Sequence, residues 1–168
     1  MQIENEILEV IADRFSKAFD RLAHGINQLN EQQVWYRPTK NSNSIGIIIK
    51  HLDGNLNQWI LSAVGGEEYH RNREKEFKDE SRLSKKDILI KIDSLKKQTE
   101  EVIAKIPSGT LLLERRIQGF DETVMSALII ALTHLELHAG QVLYVAKLLL
   151  GEYYKESWEP ANAEQGGR

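Results

Sequence analysis

Two histidines stand four residues apart in the most apolar segment of the chain, Thr133-His134-Leu135-Glu136-Leu137-His138-Ala139-Gly140-Gln141. On a helix, residues i and i+4 lie one above the other, about 6 Å apart, so both imidazoles can reach one metal ion. Packed core histidines also occur at this spacing, and the pair alone leaves both readings open. A third imidazole, His51 in Ile48-Ile49-Lys50-His51-Leu52-Asp53-Gly54-Asn55, lies beside core-type positions of another predicted helix. Bundle cores build metal sites from side chains on facing helices, and three neutral imidazoles plus water make an open divalent-metal site. Burying three imidazoles together without partners would cost several kcal/mol, whereas a metal satisfies all of them.

Other residues are candidates for the surroundings of such a site. Asn55, four residues past His51, shares its helix face and lines a pocket or stays an internal amide. Trp59, one turn further, either fills the core or walls a substrate cavity. Gln141, three residues past His138, is placed to bond a metal-bound water or to cap a buried neighbour. Asp53 and Glu136 point to other faces, and His24 falls off the core stripe of its helix. His70 sits in a charged loop, and Arg115-Arg116 reads as an exposed charge pair before it reads as a carboxylate clamp.

Composition restricts the chemistry. The chain has 168 residues, 22 basic and 25 acidic side chains, three prolines, no cysteine and a formal charge of −3. That length suits one domain able to bury roughly 70% of its unfolded surface without disulfides. The lack of cysteine excludes a thiol nucleophile, a thiolate zinc site and an iron–sulfur cluster, so ligands must be nitrogen or oxygen and any reactive sulfur must come on a small molecule. The charge balance gives no footprint for nucleic acid or an anionic membrane. The acidic start MQIENEILEV lacks the apolar region of a secretory signal. The apolar stretch from Val124 to Leu150 is interrupted by His134, Glu136, His138, Gln141 and Lys147, which argues against a membrane span. A soluble cytoplasmic protein is expected.

The elements that must position these residues are helical. Ile3, Ile7, Ile11, Phe15, Ala18, Leu22, Ile26 and Leu29 advance by threes and fours along one face. Residues 30–43, with Arg37-Pro38 and a polar run, form a connector. Ser44 caps a second helix that runs to about Val64 and stops at Gly65-Gly66. Residues 67–82 read as a solvated charged loop, and Ser84 caps a third helix that ends before Pro107-Ser108-Gly109. Residues 110–120 have room for a short extended piece. A fourth helix, from Asp121 or Thr123 to Leu150, is apolar nearly all round and is therefore expected to be buried. The expected architecture is all-α: a four-helix bundle over residues 1–151 with short extra pieces in its loops, then a partly disordered tail, 152–168, carrying Tyr153, Tyr154 and Trp158. The connectors are long enough for a crossover, so simple up-down order does not follow.

This order of motifs, with Ile48-Ile49-Lys50-His51-Leu52 followed by Trp59 in the second helix and His134-xxx-His138-Ala139-Gly140-Gln141 in the fourth, resembles the DinB-like (YfiT-like) family of metalloenzymes. The resemblance runs from Leu22-Ala23-His24-Gly25 in the first helix to Gly151. It implies an up-down-down-up bundle, often a homodimer, with a divalent metal such as zinc or nickel held by His51, His134 and His138. Characterised relatives include S-transferases and isomerases that use bacillithiol, mycothiol or glutathione. The expected function is thus a metal-dependent transferase that activates an exogenous low-molecular-weight thiol and acts on a small-molecule substrate. A metal-dependent hydrolase using a metal-bound water, and a non-catalytic dimeric bundle with a structural or vestigial metal site, are the alternatives.

Overall fold

Ser44, Ser84 and Thr123 each accept a hydrogen bond from a backbone amide three residues on, and each starts a long helix. The structure is a computed structural model that describes residues 2–78 and 81–157. Among them, four long helices dominate: α1 (Gln2–Asn27), α3 (Ile45–Leu56), α5 (Lys85–Ala104) and α6 (Val124–Leu150). The helix of α3 continues as a wider π-helical turn over Asn57–Ser62. The expected stripe on α1 is buried from Ile11 to Ile26, Ile7 is half-buried, and Ile3, at its open end, is exposed.

The loops hold the extra pieces. In the first connector lies a one-turn helix, α2 (Glu31–Val34), fixed by a reciprocal cap in which Asn30 and Gln33 bond to each other's backbone amides. The extended piece expected before the last helix is a hairpin of β1 (Glu114–Ile117) and β2 (Phe120–Thr123). Its two-residue turn, Gln118-Gly119, has positive φ at both positions, as a tight hairpin requires. Asp121 belongs to β2, so the last helix starts after Thr123. Residues 67–82 are not simply a solvated loop. They contain a further helix, α4 (Arg73–Lys78), which buries Glu76 against α3. The single sequence clue to this fold-back is Phe77, an isolated apolar residue in a charged run.

Specific contacts fix the helix directions. Lys85, at the start of α5, donates to the carbonyls of Asn27 and Leu29 beyond the end of α1, and Ser108, past the end of α5, donates to Glu4, so α1 and α5 are antiparallel. Arg21 pairs with Glu136, and Gly25 packs on Val142 and Leu143, so α1 and α6 run parallel. Asp53 pairs with Lys91 and Gly65 packs on Val102, which makes α3 and α5 parallel. The order is up-down-down-up, with α5 and α6 as the neighbours of both α1 and α3. Phe15, Phe19, Leu22, Leu52, Leu56, Ile60, Ile88, Leu128 and Leu135 fill the centre.

The expectation that the last helix is buried all round does not hold. Its alanine-rich side, including Ala127, Ala131, Ala139 and Ala146, is fully buried, because small residues let α1 approach closely. Its other side leaves Ile130, Leu137 and Tyr144 exposed. By length and composition the segment Val124–Tyr153 is apolar enough to cross a membrane, but Glu136 on it is ion-paired to Arg21 and one whole side belongs to the bundle core. After α6, Lys155 offers its carbonyl to His24 of α1 and to Gln28 just past the end of that helix. The disorder expected at the end of the tail, Trp158 included, falls outside the described residues.

The reciprocal cap of Thr123 and Ser126 holds the start of α6. Thr123→Ala should cost about 1 kcal/mol, read as a lower urea midpoint with an unchanged slope.

Candidate metal centre

His51 sits in the middle of α3, and His134 and His138 lie one turn apart on α6, which runs antiparallel to it. The three side chains meet at the α3–α6 contact. The Nε2 atom of His134 is 3.1 Å from that of His51 and 3.2 Å from that of His138. Tetrahedral ligation at ordinary zinc–nitrogen lengths puts ligand nitrogens about 3.3 Å apart. The expected triad is thus brought together, with two of its three nitrogen separations close to those around a divalent ion and all three within 4.8 Å. Among the described residues it is the group of three or more potential ligands able to hold one.

Neighbouring groups fix which nitrogen carries the proton on two of the three rings, while His134 Nδ1 is buried without a hydrogen-bond partner among the described residues. His51 Nδ1–H donates to Glu76 Oε2 at 2.8 Å, since the carboxylate can only accept. His138 Nδ1–H donates to Gln141 Oε1 at 2.7 Å. Both rings therefore turn an Nε2 lone pair inward, towards His134. Burial holds all three imidazoles below their ordinary pKa, opposed at His51 by the Glu76 carboxylate and at His138 by Gln141. His134 is pushed down to about 4, first by burial and then by the charge that His138 and His51 would carry. At neutral pH the rings are uncharged, the state in which imidazole is a ligand.

Glu76 is itself held. Arg71 clasps it with two hydrogen bonds, Nε to Oε1 at 2.6 Å and Nη2 to Oε2 at 2.9 Å, and both side chains are more than 90% buried. A carboxylate behind a histidine in this way fixes the ring and would raise its basicity towards a metal. Gly54 makes the arrangement possible: a Cβ there would overlap the Glu76 carboxyl and crowd Arg71. Phe77 closes the side of His51, with ring centroids 5.1 Å apart. None of Arg71, Gly54, Glu76 or Phe77 is among the residues singled out from sequence. The one available signal is Gly54, a residue that costs stability inside a helix, set three positions from His51.

The structure places the remaining candidates as follows. Gln141 orients His138, the capping role among its two readings. Asn55 is buried one turn beyond His51, with its Oδ1 unpartnered among the described residues. Trp59 is buried in the π-helical turn, a deviation frequent near functional sites. No hydrogen bond or ring contact among the described residues joins Asn55 or Trp59 to the triad. Asp53 pairs with Lys91, Glu136 with Arg21, His24 binds the Lys155 carbonyl, and His70 lies in solvent beside Glu68.

Comparison with known proteins decides the family. Residues 2–161 match the model of a family described as a protein of unknown function, DUF1572. The chain belongs to this DinB-like family. Its fold is shared with a DinB-like protein from Bacillus cereus (TM-score 0.68, 15% identity, covering 84% of this chain and 91% of that one). A conserved protein from Enterococcus faecalis (0.66, 15%, 85% and 96%) and a DinB-like protein from Bacillus subtilis (0.64, 17%, 87% and 98%) have it as well. No curated protein matches the sequence significantly. At these identities the DinB-like structures establish the fold, and the chemistry must be argued from the triad.

If Glu76 tunes the centre through His51, Glu76→Gln should weaken zinc binding roughly 10- to 100-fold in a chelator competition. Gly54→Ala should move affinity the same way, by displacing the carboxylate.

Proposed function

We propose that this DinB-like protein is a metal-dependent enzyme that transfers an exogenous low-molecular-weight thiol to a small electrophilic substrate. The observation that carries the reading is the convergence of three neutral imidazoles, two of which have their inward lone pairs set by Glu76 and Gln141. His51, His134 and His138 would hold the ion, leaving a fourth position for the reactant. Zinc and nickel both suit such a nitrogen set. The chemistry a divalent ion supplies here is to make a small thiol ionise at neutral pH. Glu76 and Gln141 keep two of the rings in the ligating tautomer, and the surrounding helices limit the access of water.

Thiol transfer is favoured over hydrolysis by the lack of a free base. Both oxygens of Glu76 are engaged by Arg71 and His51, and among the described residues no other carboxylate touches the triad. A hydrolytic metal centre of the common helical type keeps a glutamate at hand as general base, whereas an ionised thiol needs none. In the transfer, a carbon–sulfur bond forms as the leaving group departs, and the thiol proton goes to solvent. The chain has no cysteine, so the sulfur comes from outside. A cytoplasmic setting, where small thiols are kept reduced, belongs to the same reading.

Protein purified without added metal should carry one equivalent of a divalent ion by elemental analysis, and His134→Ala should lose it. Metal-loaded protein should accelerate coupling of bacillithiol or glutathione to chlorodinitrobenzene, and chelation should abolish turnover with little loss of helicity. Metal-dependent ester hydrolysis without a thiol would support the hydrolase instead. Unfolding on chelation would support a structural metal.

We also propose that a second copy of the chain covers the exposed side of α6. Ile130, Leu137 and Tyr144 are spaced by seven residues, the repeat with which one helix packs along another. Leu137→Glu combined with Tyr144→Glu should yield a monomer in analytical ultracentrifugation where the natural sequence sediments as a dimer.

A further inference from the structure

A cleft of ≈660 Å³ opens beside the candidate metal centre, and its walls are basic and aromatic. Two lining residues place it there. Ile47 is one helical turn before His51 on the same face of α3, and Phe77 packs directly on the His51 ring. The opposite wall is the Trp35 indole, fixed by its Nε1–H donating to the Leu83 carbonyl at 3.1 Å. Gly46 makes room for that indole, because a Cβ at Gly46 would come within 2.5 to 2.6 Å of three ring carbons.

Among the described residues that line this cleft, the charged ones, Arg37, Lys78 and Arg82, are all basic. Lys78 is paired with Glu74, but neither Arg37 nor Arg82 has a carboxylate partner among the described residues. Arg37 spends its Nε on the Ser42 carbonyl, which leaves its terminal nitrogens available, and Arg82 lies over the Trp35 ring at 5.8 Å. Lys50 sits over the same indole at 5.7 Å. The first turn of α3 lines the cleft at Ser44 and adds the positive end of a helix. Two unpaired guanidinium groups near a flat apolar wall form a recognition site for an anion, since arginine binds carboxylate and phosphate by paired hydrogen bonds.

We propose that this cleft binds the acidic end of a small molecule bearing carboxylate or phosphate groups and holds its remainder beside His51. The inference deepens the metal-enzyme reading by naming a substrate class, and it rests on that reading for the role of the neighbouring triad. Arg37 and Arg82 are the anion-binding residues, and Trp35 supplies the wall over which Arg82 lies.

The test is a titration of metal-loaded and metal-free protein with succinate and with inorganic phosphate, using succinamide as the neutral counterpart. The reporter is the Trp35 indole N–H resonance, assigned with Trp35→Phe. At least one anion should give a saturable shift in both forms, and succinamide should give none. Arg37→Gln/Arg82→Gln should weaken the anion roughly tenfold or more, the size expected on losing hydrogen bonds from charged donors, with metal content unchanged. Lys17→Gln/Lys97→Gln, an equal change of charge elsewhere, should bind as the natural sequence does. If the arginine double variant does not fold, Arg37→Gln alone, at an exposed position, reads the same loss. The proposal is overturned by no saturable shift with either anion, by an equal response to succinamide, by undiminished binding in the arginine variant, or by equal weakening in the lysine control. Anion binding by a chain that takes up no metal would leave the cleft standing and sink the metal-enzyme reading, so the two failures are separable.

Discussion

Imidazole lone pairs repel one another, and a fold that aims three of them at a single point must hold them there. In this chain the restraint is the buried sequence of contacts from Arg71 to Glu76 to His51. Arg71 neutralises Glu76, Glu76 takes the proton side of His51, and His51 must then present its other nitrogen to His134. Without the arginine, a carboxylate nine-tenths buried would be costly. Without the carboxylate, His51 would be free to change tautomer and turn away. The bundle supplies rigid supports for the rings, and this short polar chain sets their direction.

The helix order determines which surfaces can meet. Since α1 neighbours α5 and α6, the second long helix is left to close the bundle from the far side, where α3 faces α6. The ligands come from this pair, while α1 contributes mainly packing, through Phe15, Phe19 and Leu22. The alanines of α6 allow α1 to come close, and the larger aliphatic residues of the same helix stay outside. Support and chemistry thus occupy different sides of one helix.

Much of this was legible in the sequence. Serine caps marked the starts of α3 and α5 because capping is a local interaction between residues three apart, while the start of α6 was left between Asp121 and Thr123 because the strand before it depends on pairing with β1. The triad was legible because its members sit on long helices whose periodicity sets which residues face inward. The charged segment 67–82 misled because two of its charges, Arg71 and Glu76, are buried against each other and against α3. Glu76 looks like any solvated glutamate until Arg71 and Gly54 are brought around it. Periodicity also overstated the burial of α6, since an apolar helix reads alike whether its partner is in the same chain or in another.

The parallel course of α3 and α5 has a consequence of its own. A chain leaving the lower end of one helix and entering the upper end of its parallel neighbour must travel back along the bundle, about 27 Å for the 18 residues from Ile45 to Ser62. That return path is where Arg71, Glu76 and Phe77 lie. The residues that hold His51 from behind, Arg71 and Glu76, are therefore on a stretch of chain outside the four long helices. A change along it would alter how His51 is held while leaving the packing of the four long helices in place.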